Sequence, residues 1–346
     1  MNPFVRQKVV KTLALLFVAG ICSAVFAGAG AGASQAVVQY TPHDRLFSVA
    51  FNEDFGEAVG ESGLVLQSSD GGRSWQHEVK APTDLAIFSV AISGTRSIAV
   101  GQEGLILVRD GRKPWRKIDP LTEQRLLRVS LNKNGLAVAV GAFGTLLKSN
   151  DNGQSWSELK PDWATLYKTD STSDFVAARD EPTLYVVKVF DDGSILIGGE
   201  YGQLNRSTDG GATWTPVFKA PTGSTGLIPP SLFGMHIRDD GVGYASGQDG
   251  MVVMTGDSGK SWTSLETQTQ ASLFDVDSTP DGHVFAVGMR SGLVSSDAGK
   301  TWRPLKALDL NLNWYSGLAR SPSSSGNLMI AVGHSGRVLQ LVASGD

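Results

Sequence analysis

The feature that most constrains this chain is an internal repeat of about 40 residues that occurs seven times. Its first marker is a small-apolar-glycine triplet, followed by a short turn that usually closes on a second glycine. The triplets end at Gly60, Gly101, Gly141, Gly199, Gly247, Gly288 and Gly333. A bulky pair precedes each triplet: Leu46-Phe47, Ile87-Phe88, Leu126-Leu127, Leu184-Tyr185, Leu232-Phe233, Leu273-Phe274 and Trp314-Tyr315. Two markers in a fixed order indicate a repeat architecture.

A second signature, S-x-D-x-G-x-[ST]-W, follows most of the triplets. Four copies are complete and a fifth, from Thr255 to Trp262, changes only the first hydroxyl residue. The Asp and Trp positions of these five copies are Asp70 and Trp75, Asp151 and Trp156, Asp209 and Trp214, Asp257 and Trp262, and Asp297 and Trp302. We expect a turn in which Asp and Ser/Thr side chains bind backbone amides, glycine adopts a positive φ, and Trp packs under a neighbouring strand.

A sixth copy of the signature is eroded. Asp110 and Trp115 remain, whereas Arg112 and Pro114 replace the glycine and the hydroxyl residue.

Each unit divides into four short strands joined by polar or glycine-bounded turns, which is the pattern of a propeller blade. Seven units therefore predict an all-β, seven-bladed β-propeller. The last unit ends without the signature and lacks its outer strand, and the segment from Ala36 to Tyr40 is the natural candidate to complete it. Such closure removes the open edge of the ring.

The signature resembles the Asp box, or BNR repeat, and the chain from about residue 36 to 346 is similar to Asp-box β-propellers. Proteins with this box include sialidases, large carbohydrate hydrolases, sorting receptors and photosystem II assembly and stability factors. The box therefore implies a fold and names no chemistry.

The strand order predicts which face of the ring carries function. Glycine-bounded turns and blade-to-blade connections share one face, where propellers generally place ligands. Candidate binding residues in these turns are Glu61, Glu103, Phe143, Glu200, Tyr201, Asp249, Arg290 and His334, together with Gln102, Gln248 and Met289. For any single member, an exposed residue without a role is the alternative.

Two irregular spacings point to the same face. The connection from Trp156 to Leu184 is the longest between blades and contains Trp163, Tyr167, Phe175 and Arg179. Long loops in compact domains are usually functional or disordered, so Trp163 and Tyr167 join the binding candidates. A second long connection, at residues 222–230, is rich in Gly, Pro and Ser and is equally well explained as a slack loop.

The first 27 residues resemble a secretory signal, with Arg6, Lys8 and Lys11 before an apolar run and small residues before a cleavage site at Ala27. An uncleaved membrane anchor is the alternative. We expect residues 28–346 to form a single exported, periplasmic domain that does not insert into the membrane. With a net charge of −4, no nucleic-acid partner is expected. One cysteine and five scattered histidines give no metal-site spacing, and no cofactor is expected.

The serious enzymatic alternative is a sialidase-like or other carbohydrate-active propeller. Sialidases use six blades, an arginine trio and an Arg-Ile-Pro type motif near the N-terminus, whereas Arg45 here is followed by Leu46 and Phe47. Glycosidases need two placed carboxylates, and none can be identified. A carbohydrate-binding propeller nevertheless stays open as the alternative function.

Seven blades, small-apolar-glycine triplets and an export signal together resemble the photosystem II assembly and stability factor family. That resemblance implies a non-enzymatic protein that binds a membrane-complex subunit during assembly. The resemblance also implies binding through an arginine-bearing patch. Arg125 and Arg128 lie near the start of the third blade, but the sequence alone does not align them with that patch, and no binding residue is carried over. We therefore predict a monomeric exported scaffold whose partner is a membrane-associated protein complex or transporter.

Overall fold

The computed structural model of the chain describes residues 34–38, 43–167, 181–221, 228–305, 309–321 and 328–343. These residues form seven four-stranded antiparallel sheets. The innermost strand of each sheet packs beside that of the next, and the last packs against the first. The predicted seven-bladed β-propeller is confirmed. The predicted leader, Phe175, Arg179 and residues 222–227 lie outside the described residues.

The strands follow the repeat closely. The first three blades contain β2 (Leu46–Asn52), β3 (Phe55–Gly60), β4 (Val65–Ser68) and β5 (Gln76–His77); β6 (Ile87–Ser93), β7 (Arg96–Gly101), β8 (Ile106–Asp110) and β9 (Arg116–Ile118); and β10 (Leu126–Leu131), β11 (Ala137–Gly141), β12 (Leu146–Ser149) and β13 (Ser157–Glu158). A short helix, α1 (Trp163–Leu166), follows the third blade.

The remaining four blades repeat this order. They contain β14 (Leu184–Val189), β15 (Ile195–Gly199), β16 (Gln203–Ser207) and β17 (Thr215–Lys219); β18 (Leu232–Ile237), β19 (Gly243–Gly247), β20 (Val252–Thr255) and β21 (Thr263–Leu265); β22 (Leu273–Ser278), β23 (Val284–Gly288), β24 (Gly292–Ser295) and β25 (Arg303–Pro304); and β26 (Tyr315–Arg320), β27 (Leu328–Gly333) and β28 (Val338–Val342).

The seventh blade is completed by a strand from the other end of the chain. This strand, β1 (Gln35–Val38), pairs antiparallel with β28. Ala36 lies opposite Leu339, and the Gln35 side-chain amide donates to Oε1 of Gln340 at 2.8 Å. The predicted N-terminal outer strand is confirmed for its described part, and it gives β28 the partner that an edge strand would lack.

The five predicted aspartate turns form the expected hydrogen bonds. In the third blade, Oδ1 of Asp151 accepts from the Ser155 amide at 2.9 Å and Oδ2 accepts from the Ser155 hydroxyl at 2.5 Å. The Ser149 hydroxyl accepts from the Gly153 amide at 2.9 Å, and Gly153 has a φ of +79°. In all five turns the Trp indole donates to the glycine carbonyl at 2.9–3.2 Å. The side chains therefore replace missing backbone partners and hold the turn.

Each turn also connects its blade to the preceding one. The core consists of seven hydrophobic clusters, each of which combines residues from two neighbouring blades. Trp156 of the third blade, for example, packs with Ile98 and Val108 of the second. A Cβ on Gly153 would lie 2.7 Å from the Ile98 side chain, so glycine is required there by packing as well as by its φ. The signature thus stabilises the interface between blades.

The eroded copy in the second blade is replaced by a buried ion pair. By strand register, Arg109 takes the place of the turn serine, and its side chain is 1% exposed. Its guanidinium pairs with the fully buried Glu57 of the first blade and, at 3.0 Å, with Glu78. It also lies 4.4 Å from the ring centroid of Trp115. An electrostatic contact therefore joins the two blades where the turn is incomplete.

Removing one turn carboxylate tests its contribution to stability. We expect Asp151→Ala to lower the free energy of unfolding by about 1–2 kcal/mol at neutral pH, because four amide or hydroxyl donors lose their acceptor. Donors from Ser155 lower the pKa of Asp151 to about 2, so this stabilisation is present above about pH 4 and is lost as the pH falls towards 2. Urea unfolding at neutral pH and near pH 2 measures this stabilisation. Exposed Asp119→Ala is the control, and an equal effect of the two variants would contradict this role.

Removing the closing strand tests the ring. A chain that begins at His43 leaves β28 without β1, and we expect a lower Tm and concentration-dependent association through the open strand. Thermal unfolding and light scattering measure both effects. Unchanged melting and a monodisperse truncated chain would show that closure does not depend on β1.

Candidate functional site

The inner strands share an irregularity that shapes the centre of the ring. In all seven, the register shifts at the second residue, which forms a β-bulge. A bulge redirects the side chain of its extra residue. We call these seven residues the mouth ring: Phe47, Phe88, Leu127, Tyr185, Phe233, Phe274 and Ser316. Each is half-buried, whereas the residue before it is buried.

The mouth ring surrounds one end of the central channel. Its members line a bowl of about 300 Å³ together with Arg128. Leu46, at the start of an inner strand, pairs with Gly60, which opens a glycine-bounded turn, so the bowl lies at the centre of the predicted binding face.

The aromatic members of the mouth ring contact one another. Ring centroids are 5.6 Å apart for Phe47 and Phe88, 5.3 Å for Tyr185 and Phe233, and 5.9 Å for Phe233 and Phe274. Trp314 stacks on Phe47 at 6.2 Å. These contacts hold the rings in place while leaving part of each accessible, which suits burial of an apolar group from a ligand.

The floor of the bowl carries a single guanidinium. Arg128 donates to the backbone carbonyls of Tyr185 and Phe233 at 3.5 and 3.3 Å, and it lies 3.9 Å from Oδ1 of Asp275. One side chain of the third blade thus contacts the fourth, fifth and sixth. Because the Arg128 side chain is 21% exposed, a ligand oxygen in the bowl can still reach a donor.

Asp275, the acidic partner of Arg128, is itself held by a hydrogen bond from another blade. It is 6% exposed, and its Oδ2 accepts from the amide of Leu318 in the seventh blade at 3.0 Å. Burial raises the pKa of Asp275 to about 6, although the Arg128 charge opposes the rise. An apolar ring over a guanidinium can bind a segment that combines an apolar side chain with carbonyl or carboxylate oxygens.

The predicted turn residues surround the bowl on separate blades. The second residue of every glycine-bounded turn has a positive φ between 51° and 62°, although none is glycine. They are Ser62, Glu103, Phe143, Tyr201, Asp249, Arg290 and Ser335. Such conformations are strained for residues with a Cβ, so the turns hold five of the predicted candidates in defined positions. Phe143 is the most exposed apolar residue among them, at 63%.

Three further candidates occupy the first position of a turn and have partners. Glu61 pairs with Arg45 at 3.1 Å, Oε2 of Glu200 accepts from the Thr183 amide at 2.8 Å, and His334 lies 6.3 Å from the ring of Trp314. Of these, only His334 contacts a residue that stacks on the mouth ring.

Trp163 and Tyr167 lie in the core, which corrects the prediction that they belong to the exposed binding face. They are only 8% and 3% exposed and pack between the third and fourth blades. The Tyr167 hydroxyl contacts Nδ2 of Asn205 at 3.2 Å, and a Cβ on Gly144 would lie 2.6 Å from Nε1 of Trp163. These aromatic residues of the long connection fill space in the structure, so they are packing residues and do not belong to the exposed binding face.

The mouth ring itself was not among the predicted site residues. In the first six units the mouth-ring residue is the second member of the bulky pair. The sequence pattern, however, identifies these pairs only as repeat markers. In the seventh unit the pair was placed one residue too early, because the bulge lies between Tyr315 and Gly317 and the equivalent residues are Tyr315 and Ser316. Trp314 instead bridges to Met289 of the sixth blade.

Within the described ranges, no helix is long and apolar enough to cross a membrane. No group of three or more His, Cys, Asp or Glu side chains in the same ranges is arranged to hold a metal ion.

Comparison with known sequences finds a relative of part of the chain. No family model matches the chain. Over 133 residues it is 26% identical to the photosystem II assembly lipoprotein Ycf48 of Synechococcus sp. (strain CC9902), a match that covers 36% of this chain and 39% of that relative. The expected resemblance to photosystem II assembly factors is confirmed by this homology.

Solved structures agree on the fold. YCF48 from Cyanidioschyzon merolae has a TM-score of 0.66 at 20% identity, covering 90% of this chain and 99% of its own. YCF48 bound to D1 peptide has a TM-score of 0.64 at 19% identity, covering 90% and 97%. The WD40 propeller of Doa1 reaches 0.64 at 13% identity, covering 90% and 97%. Since unrelated functions share this likeness, it describes the fold alone.

The buried Asp275 carboxyl predicts a pH dependence. Its pKa of about 6 exceeds the value of about 3.9 in an unfolded chain, so the folded state holds its proton more tightly. The free energy of unfolding should therefore fall by about 2–3 kcal/mol as the pH rises from about 4 to 6. Asp275→Asn keeps an acceptor for Leu318 and removes this dependence.

Urea unfolding of both proteins across this pH range isolates the contribution of Asp275 as the difference between the two curves. Parallel curves would show that the carboxyl titrates normally in the fold.

Proposed function

We propose that this protein is an exported, non-enzymatic scaffold that binds a segment of a partner protein in the mouth ring and assists the assembly or function of a membrane complex or transporter. One observation carries the proposal: seven bulges direct five aromatic rings and a leucine towards one opening, above a partly exposed guanidinium. Partly exposed apolar residues gathered in this way indicate a binding surface.

Homology to an assembly factor supports a protein partner. The relative is named a photosystem II assembly lipoprotein, and one structural neighbour holds a peptide. A bowl of about 300 Å³ accommodates one or two side chains of a peptide and is small for a folded domain. We therefore place the recognised element in an extended or terminal segment of the partner.

The rigidity of the ring favours this mode of binding. The mouth-ring side chains sit on inner strands that are hydrogen-bonded within their blades, so few groups need to be ordered when a ligand binds. The strained turns around the bowl likewise hold Glu103, Asp249 and Arg290 in place. Their mixed charges provide a polar rim around an apolar centre, which is the usual arrangement in protein interfaces.

The compartment proposed for the partner is inferred from the predicted leader. A cleaved signal in residues 1–27 would deliver the domain to the periplasm, where segments of membrane proteins are accessible. Export, a monomeric state and a membrane complex or transporter as partner are further parts of the proposal.

A carbohydrate ligand is the second candidate, because aromatic rings in the mouth can stack on sugars. The described residues that line the bowl carry no carboxylate, whereas glycosidases require a pair. Binding of a glycan without hydrolysis is therefore the only form of this alternative that the mouth ring favours.

Capture of a partner tests the proposal. We expect the wild-type protein, immobilised and exposed to a detergent extract of host membranes under crosslinking, to retain a membrane protein. Phe233→Ser in the mouth ring should weaken capture at least tenfold, because a central aromatic contact is worth about 2 kcal/mol or more. Val79→Ser, at an exposed apolar residue outside the bowl, is the matched control.

The same proteins are then tested on a glycan array and with a panel of fluorogenic glycosides. Turnover, or capture that Phe233→Ser leaves unchanged, would contradict a protein-binding mouth ring. Glycan binding that depends on Phe233 would instead favour the carbohydrate alternative.

A further inference from the structure

The opposite end of the channel holds a second and larger cavity. It measures about 510 Å³ and lies where the inner strands end, on the face of the aspartate turns. Its walls come from the first, fourth, fifth, sixth and seventh blades. The mouth ring contributes no residue to it, so it is a separate site.

Three charged or titratable side chains occupy equivalent positions on consecutive inner strands. Lys188, His236 and Asp277 are the fifth residues of β14, β18 and β22, and all three line the cavity. Nε2 of His236 lies 3.3 Å from Oδ1 of Asp277. Arg320, from β26 in the seventh blade, completes this group of four.

The Asp277 carboxylate is engaged by neighbouring donors and forms no ion pair with Lys188, although its charge attracts the ammonium. Its side chain is 1% exposed, its Oδ1 accepts from the Ser278 amide, and its Oδ2 accepts from the Arg320 amide at 3.0 Å. Together with His236, these donors use most of its acceptor capacity. Asp277 therefore fixes the neighbouring strand and the imidazole.

Two cations remain without a partner. In the part of the chain that the structure describes, neither the Lys188 ammonium nor the Arg320 guanidinium forms an ion pair or a hydrogen bond. The aromatic ring of Phe190, 6.0 Å from Nζ of Lys188, is a weak substitute. Burial lowers the pKa of Lys188, which reflects the cost of holding a charge away from water. A cation kept in such a position suits a negatively charged ligand.

The remaining charged residues of the cavity are paired at its outer edge. Arg238 binds Asp240 at 2.7 Å and donates to the Thr279 carbonyl at 2.9 Å. Asp239 has an 88% exposed side chain and lies 3.5 Å from Lys133. Asp239, Asp191 and Asp277 attract Lys188 from a distance, and none of the three forms an ion pair with it. The inner part of the cavity thus presents Lys188 and Arg320 as available donors.

We propose that this cavity is a binding site for a small molecule that carries an oxyanion group, a phosphate or a carboxylate. Lysine supplies a compact charge and arginine a planar fork of donors, the combination that binds such groups in proteins. The volume exceeds what the anionic group alone needs, and Val49, Phe51 and Leu318 form an apolar wall for the rest of the ligand. The site is independent of partner binding at the mouth ring.

Calorimetry and thermal unfolding at low ionic strength and pH 7 test the proposal, with inorganic phosphate and citrate as the probes. We expect at least one probe to bind and to raise the Tm by about 4 °C at 100 times its Kd. Lys188→Met and Arg320→Met should each weaken that binding at least tenfold. Lys160→Met is the control, because Lys160 is exposed and pairs with Glu158 outside the cavity.

A second readout separates a ligand site from a purely structural charge. Lys188→Met removes a partly buried charge that has no ion-pair partner, so the ligand-free variant should melt at the same temperature as the wild type or higher, while its response to the probe is lost. Comparing phosphate with citrate identifies the preferred oxyanion. Failure of both probes to bind the wild type, or equal binding by Lys188→Met, would overturn the proposal.

Discussion

Closure of the ring is the constraint on which the rest of this structure depends. Each hydrophobic cluster is built from two adjacent blades, so no blade buries its apolar residues alone, and the seventh must meet the first. The pairing of β1 with β28 joins segments more than 300 residues apart and completes this circle. The aspartate turns serve the same end, because their five tryptophans fill five of the seven interfaces and Trp115 of the eroded copy fills a sixth.

The functional surfaces are consequences of the same geometry. Seven inner strands converge on one axis, and a bulge in each places the mouth-ring side chains at one end of the channel. At the other end the alternation of the strands brings Lys188, His236 and Asp277 to one level. A single channel therefore has an apolar opening and a charged one, with Arg128 and Asp275 between them.

Much of the fold could be predicted from the repeat, because glycine spacing and the S-x-D-x-G-x-[ST]-W signature report local turn chemistry. The candidate site was harder to predict from the sequence than the fold. A β-bulge has no characteristic residue type, so the sequence pattern does not distinguish Phe47 and Phe233 from ordinary strand residues. Trp163 and Tyr167 looked exposed because they belong to a long connection, yet helix α1 turns both into the core. Burial of a loop residue depends on tertiary packing, which periodicity does not report.

The junction of the first and second blades adds a buried ion pair to its hydrophobic cluster. Arg109 and Glu57 are both buried, so the loss of either would leave the opposite charge buried without its partner. Apolar contacts tolerate gradual exchange of one side chain for another of similar size, but this ion pair does not. During divergence the two positions are therefore expected to covary, passing together to another complementary pair or together to uncharged residues. This seam is where homologous sequences should record a coordinated change.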